Sequence, residues 1–271
     1  MCQQTAQEGT RMNTWVLLER TQNLLPKVCE LESTPQLAML FDKTELAPYA
    51  DRSPILVSCD ESSALLKATR QTPEEWPGLI LQSEQPGAVV LVHLRQILFV
   101  HFGGNRRGVL RYSNPVTASY FFPACEAHQL KCWLGPITRL SWYGGTWPDR
   151  ASSISAWKTL ENPEASSAQV FARDPMLDAD QQNALRCQQL DYLLYRWWLS
   201  HQDLCFASGQ QWLDEGLCLG FTKADSLEHY LSIRCVYPAP DLPDALPEGS
   251  EESRFACLLQ HLQKQSIGQD S

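Results

Sequence analysis

Hydrophobic and polar positions follow two different periods along the first half of the chain. Short apolar runs bounded by turn residues predict strands at Thr14–Leu18 (TWVLL), Leu37–Phe41, Ser53–Ser58 (SPILVS), Gly78–Leu81 (GLIL), Ile97–Phe102 (ILFVHF), Val109–Tyr112 (VLRY) and Ile137–Tyr143 (ITRLSWY). Helical spacing predicts helices at Asn23–Leu31, with Asn23 as N-cap and Pro26 in the first turn, and at Glu61–Arg70, capped by Ser62 or Ser63. Gly87–Arg95 is β-branched and apolar, yet Val89, Val92, His93 and Gln96 fall at helical spacing, and a helix is expected. Asn114–Pro115 opens a helix towards Phe122, and Gly135–Pro136 ends another that begins at Glu126. Gly103–Gly108 (GGNRRG) has the composition of a hairpin turn. Strands alternating with helices imply a mixed sheet.

The pattern changes after Gly144–Gly145. Residues 148–180 lack clear periodicity and are rich in Ser, Ala, Pro and Asp, which predicts a linker or irregular connection. A long helix is expected over Asp180–His201, where Leu190, Leu193, Leu194, Trp197 and Trp198 form one apolar stripe. Further helices are expected at Trp212–Phe221, at Ser226–Val236 (with Ser232–Tyr237 as an alternative strand) and at Ser253–Gln265. Pro238–Gly249 reads as a loop. The expected fold is α/β (α+β). A loose tail (1–13) precedes a mixed-sheet α/β lobe (14–145), then a connection (146–180) and a mainly helical lobe (181–271).

Charge sharpens this division. Residues 1–145 carry 13 basic and 13 acidic side chains, whereas residues 146–271 carry 9 and 18, so the net charge of −9 resides in the second part. An acidic lobe repels phosphate, which argues against nucleic acid and favours a partner with a basic surface. The ten cysteines are scattered, many in apolar runs, and the start MCQQTAQEGTRMN has no apolar leader-like core; free thiols and a cytoplasmic location are expected. The longest apolar stretch, around Ala88–Val100, is broken by His93, Arg95 and Gln96, so membrane insertion is not expected.

Candidate chemistry is sparse. Cys125, His128 and Cys132 form C-x2-H-x3-C, but a zinc site needs a fourth donor and none is suggested nearby, so packing thiols and a surface histidine are the simpler reading. Arg106 and Arg107 within GGNRRG match no phosphate-binding loop; two arginines at a hairpin tip could instead meet a partner's carboxylates. There is no G-x-S-x-G elbow, and the acids flanking Cys59 would raise its thiol pKa, the wrong direction for a nucleophile. Neither a catalytic set, nor a metal site, nor a cofactor motif is therefore expected. Nine tryptophans is a high number; core and lobe packing is the simpler reading of them, and binding surface is the alternative. The candidate contact residues are Trp142, Tyr143 and Trp147 at the seam of the two regions, and Trp198 with its acidic neighbours Asp191 and Asp203.

The segment from about Trp15 to Trp142 resembles the effector-adaptor (effector chaperone, Tap or TEC) family of bacterial type VI secretion systems, domain of unknown function 4123. The pieces that carry the resemblance run in order: TWVLLERTQ, AMLFDKTELAPYADRSPILVS, GLILQS, HLRQILFV, LRYSNP and LGPITRLSW. Asp42–Lys43 depart from the pattern, standing where a glycine-containing turn is expected, and Asn114 stands where aspartate is usual. The resemblance implies a cytosolic, non-catalytic protein that binds a secreted toxin effector and loads it onto the VgrG-type spike protein. The variable second lobe would then hold partner specificity. An α/β enzyme with a dispersed active site, or a toxin-neutralising immunity protein, are the alternatives.

Overall fold

A computed structural model of the chain describes residues 12–104, 106–163, 165, 174–238, 242–243 and 246–269. The chain divides into two compact units, Met1–Gln188 and Gln189–Ser271.

In the first unit the strands and helices run β1 (Asn13–Leu18), α1 (Leu24–Leu31), β2 (Leu37–Met39), β3 (Ile55–Cys59), α2 (Ala64–Gln71), β4 (Gly78–Ser83), α3 (Gly87–Gln96), β5 (Phe99–Phe102), β6 (Arg106–Val109), α4 (Pro115–Phe121), α5 (Ala127–Leu134), β7 (Arg139–Gly144), α6 (Trp147–Ala151) and β8 (Ala156–Glu161). Six strands form one sheet in the order β2-β3-β1-β4-β7-β8, and β5-β6 form a separate hairpin. Every pairing of named strands is antiparallel, which refines the mixed sheet expected from strand–helix alternation. The reason lies in connectivity: β3 and β4, linked through α2, do not pair with each other but flank β1 on either side, each antiparallel to it.

Alternation along the strands sends side chains to two cores. Trp15 and Leu17, Leu79 and Leu81, and Leu140 and Trp142 join Val90 and Leu94 of α3, Phe121 of α4 and Trp133 of α5 on one face. Val16 and Leu18, Ile55 and Val57, and Ile80 meet Leu24 and Val28 of α1 and Leu65 and Leu66 of α2 on the other. The helix ends show which local signals operate. Ser63 Oγ accepts from Leu66 N at 3.1 Å, and Asn114 Oδ1 accepts from Val116 N at 3.0 Å and Thr117 N at 3.3 Å, as their positions predict. Asn23 occupies the N-cap position of α1, but its side chain makes no capping hydrogen bond. Lys43 has φ +59°, the left-handed conformation that the expected glycine would have supplied.

Residues 146–180, expected to be irregular, contain α6 and the edge strand β8. Thr146 caps α6 by accepting from Asp149 N, while Asp149 Oδ2 accepts from Thr146 N at 2.8 Å. Further on, His101 of β5 receives residues 175–177: its N–H donates to Pro175 O and its carbonyl accepts from Leu177 N, both at 2.8 Å.

The second unit takes up the C-terminal part of α7 (Ala179–Trp198), then α8 (Phe206–Cys218), α9 (Ala224–Val236) and α10 (Glu251–Gln269). The alternative strand at Ser232–Tyr237 is thus helical up to Val236. Its core is built from Leu194, Trp197, Trp212, Phe221, Tyr230, Leu258 and Leu262. Arg234 is 4% exposed and charge-paired: its Nε lies 3.1 Å from Glu215 Oε2, and its two terminal nitrogens donate to Tyr237 O and Pro238 O.

Candidate functional site

Strands β7 and β8 place three cross-strand pairs on the sheet face that α1 and α2 cover further along. Arg139 stands opposite Glu161, Ser141 opposite Thr159 and Tyr143 opposite Trp157. Each pair interacts: Arg139 Nε lies 3.0 Å from Glu161 Oε1, the Ser141 and Thr159 hydroxyls are 3.0 Å apart, and the Tyr143 and Trp157 rings are 5.7 Å apart at 60°. The opposite faces of the same strands are spent on structure, with Leu140 and Trp142 in the core.

This shelf is open to solvent. Trp157 is 40% exposed, and Arg139, Thr159 and Glu161 are exposed. Arg70, at the C-terminal end of α2, overhangs it. Together with Ile80 and Gln82 of β4 these side chains line a hollow of about 320 Å³. Two guanidiniums, two hydroxyls, an amide and an indole face can hold an anionic or hydrogen-bonding group against an aromatic wall.

The residues favoured from sequence are dispersed. Trp142 is 1% exposed, and its Nε1 donates to Ser119 Oγ at 2.9 Å, so it is a core residue out of a partner's reach. Tyr143, one position on, faces the shelf. Trp147 is half-buried at the start of α6, where Arg150 lies over its ring and its backbone N–H donates to Tyr120 Oη at 3.1 Å. Arg106 and Arg107 lie on β6 and not at the hairpin tip. Arg106 Nε donates to Gly103 O, and Arg107 reaches Asp174 at 2.5 Å and Glu45 at 2.6 Å. In the second unit Trp198 is half-buried, donating to Leu204 O at 2.9 Å and packing edge-on to Phe206. Asp203 is exposed and Asp191 half-buried. Sequence reading missed Arg70, Arg139, Thr159 and Trp157. The available signal was the period-two pattern AWKTLE at 156–161, too poor in apolar residues to stand out.

Burial shifts the titration of several side chains that pack in or against the core. Burial pushes the Cys125 thiol up to about 12, against a hydrogen bond from Gln181, and burial raises Tyr112 well above its usual range with help from Glu19. Cys59 is raised by burial foremost, the nearby Glu32 and Asp60 adding to it. Cys132 Sγ contacts its own helix at His128 O, and His128 is exposed beside Glu126, so the C-x2-H-x3-C trio does not converge. Among the described residues no group of three or more His, Cys, Asp and Glu is placed to hold a metal ion. Among the same residues, no helix is long and apolar enough to cross a membrane.

Residues 14–132, a little under half of the chain, match the family model described as "Domain of unknown function (DUF4123)". No curated protein and no solved structure matches the chain significantly. The matched segment begins one residue into β1 and ends within α5, taking in every strand of the main sheet except β7 and β8. Residues 14–132 are thus similar to the DUF4123 domain family.

Proposed function

We propose that this chain is a cytoplasmic adaptor that binds a toxin effector of a type VI secretion system and brings it to the spike protein, without catalysing a reaction itself. The observation that carries this reading is the DUF4123 match over residues 14–132, joined to the ordered motifs from TWVLLERTQ to LGPITRLSW. The geometry supports it in two ways. An aromatic and basic shelf stands on a rigid antiparallel sheet, a stable platform for recognising another protein. Burial raises the thiol pKa of Cys59 and of the half-buried Cys125, which disfavours their thiolate forms. A reducing cytoplasm suits a chain whose nine described cysteines are all free.

The direct test is co-purification. Tagged chain expressed in its own host should retain one toxin and the spike protein through a stringent wash. Recovery of neither partner from cells that express both would overturn the reading.

A further inference from the structure

Among the described residues β8 has one strand neighbour, β7, so one row of its backbone N–H and C=O groups faces outward without a ladder partner. Such an edge is a template for an added strand unless something blunts it. The opposite edge, β2, has only three residues, whereas β8 has six and contains neither proline nor glycine. Its two charged residues are already engaged, Lys158 with Asp149 at 3.8 Å and Glu161 with Arg139 at 3.0 Å.

The hollow beside this edge has an unbalanced charge. Arg139 is matched by Glu161, but Arg70 has no carboxylate partner among the described residues. An excess guanidinium thus stands next to an open strand edge, on a chain whose net charge is −9. Thr159 and Gln82 add neutral donors, and the Trp157 indole forms a flat wall. A guanidinium with its hydrogen-bonding fork free is best satisfied by a carboxylate. A strand added along β8 would bring alternate side chains over this face, at the spacing of residues 157, 159 and 161.

We propose that β8 and the hollow together take an extended acidic segment of a partner protein, which adds to the sheet as a further strand and sets an aspartate or glutamate against Arg70. This deepens the adaptor reading and rests on it, because it requires a protein partner. A second copy of the chain fits less well, because the Glu161 of its own β8 is already paired with Arg139.

The experiment is selection of a displayed random-peptide library on the intact chain, followed by titration calorimetry with an enriched synthetic peptide. Enriched sequences should alternate β-branched or aromatic residues with polar ones and carry an aspartate or glutamate. Arg70→Ala should weaken binding by about tenfold or more, Arg70→Lys should restore part of it, and higher salt should weaken it. Arg196→Ala, on the exposed face of α7, should leave it unchanged. Circular dichroism melts check that each variant is folded, and Thr159→Ala at the strand edge offers a second variant. The proposal is overturned if no peptide is enriched, if the enriched peptides lack acidic residues, or if Arg70→Ala binds them as tightly as the parent. It is equally overturned if sedimentation shows a dimer that Arg70→Glu dissolves, since the occupant is then a second copy. If these outcomes sink the peptide site while the toxin still co-purifies, the adaptor reading survives. If the peptide binds as described and no toxin co-purifies, that reading fails instead.

Discussion

The ring of His93 lies flat against Gly135: a Cβ on Gly135 would stand 2.4 Å from Cε1 and 2.6 Å from Nδ1 of His93. Gly135 ends α5 at φ +52°, and its carbonyl accepts from Asn162 Nδ2 at 3.1 Å, so one residue joins α3, α5 and the end of β8. Gly135→Ala should therefore impose both backbone strain and a clash that the buried imidazole has no room to relieve. The expected loss is about 2–5 kcal/mol, read from the urea midpoint at unchanged slope.

The same contact makes stability depend on pH. His93 is 1% exposed, its Nε2 lies 2.9 Å from Trp133 O, and burial lowers its pKa from the ordinary 6.5, the hydrogen bond opposing this in part. The unfolded chain then binds the proton more readily than the folded one. The stability contributed by a neutral His93 is fully present above about pH 6.5 and is lost as pH falls below it towards the depressed folded value. Melting temperatures measured between neutral and mildly acidic pH should fall with acidification, and His93→Gln should flatten that slope. An unchanged slope in the variant would show that other groups govern it.

Two neighbouring aromatics should separate stability from binding. Trp142 is 1% exposed and hydrogen-bonded to Ser119, and Trp142→Ala should cost about 3–5 kcal/mol. Trp157 is 40% exposed, and Trp157→Ala should melt near the parent temperature while reducing toxin co-purification. Equal recovery of toxin with the Trp157 variant would remove the shelf from the binding surface.

What could be read directly from the sequence was local. Ser63, Asn114 and Gly135 act on atoms within a few residues of themselves, so their identity announces the helix ends they make. The alternation Arg139, Leu140, Ser141, Trp142, Tyr143 also separates a core face from an open one, and period two assigns Trp142 inward and Tyr143 outward. The candidate site was less legible because it depends on distant pairings. Strand β8 forms because β7 offers it an edge, and its own residues are half polar. Arg107 looks like a free hairpin arginine until Glu45 and Asp174, some sixty residues away in either direction, fold onto it. Lys43 shows the converse: it departs from the family's expected glycine in identity, yet its backbone keeps the left-handed turn.

The most direct measurement is secretion from a strain in which this chain is deleted and then restored. The adaptor account predicts that one toxin disappears from the secreted fraction while the secretion apparatus still assembles and releases its other cargo. Restoring the parent chain should return the toxin, and restoring the Trp157→Ala, Arg70→Ala double variant should return it poorly. Secretion of every effector at parental levels in the deletion strain would contradict the account.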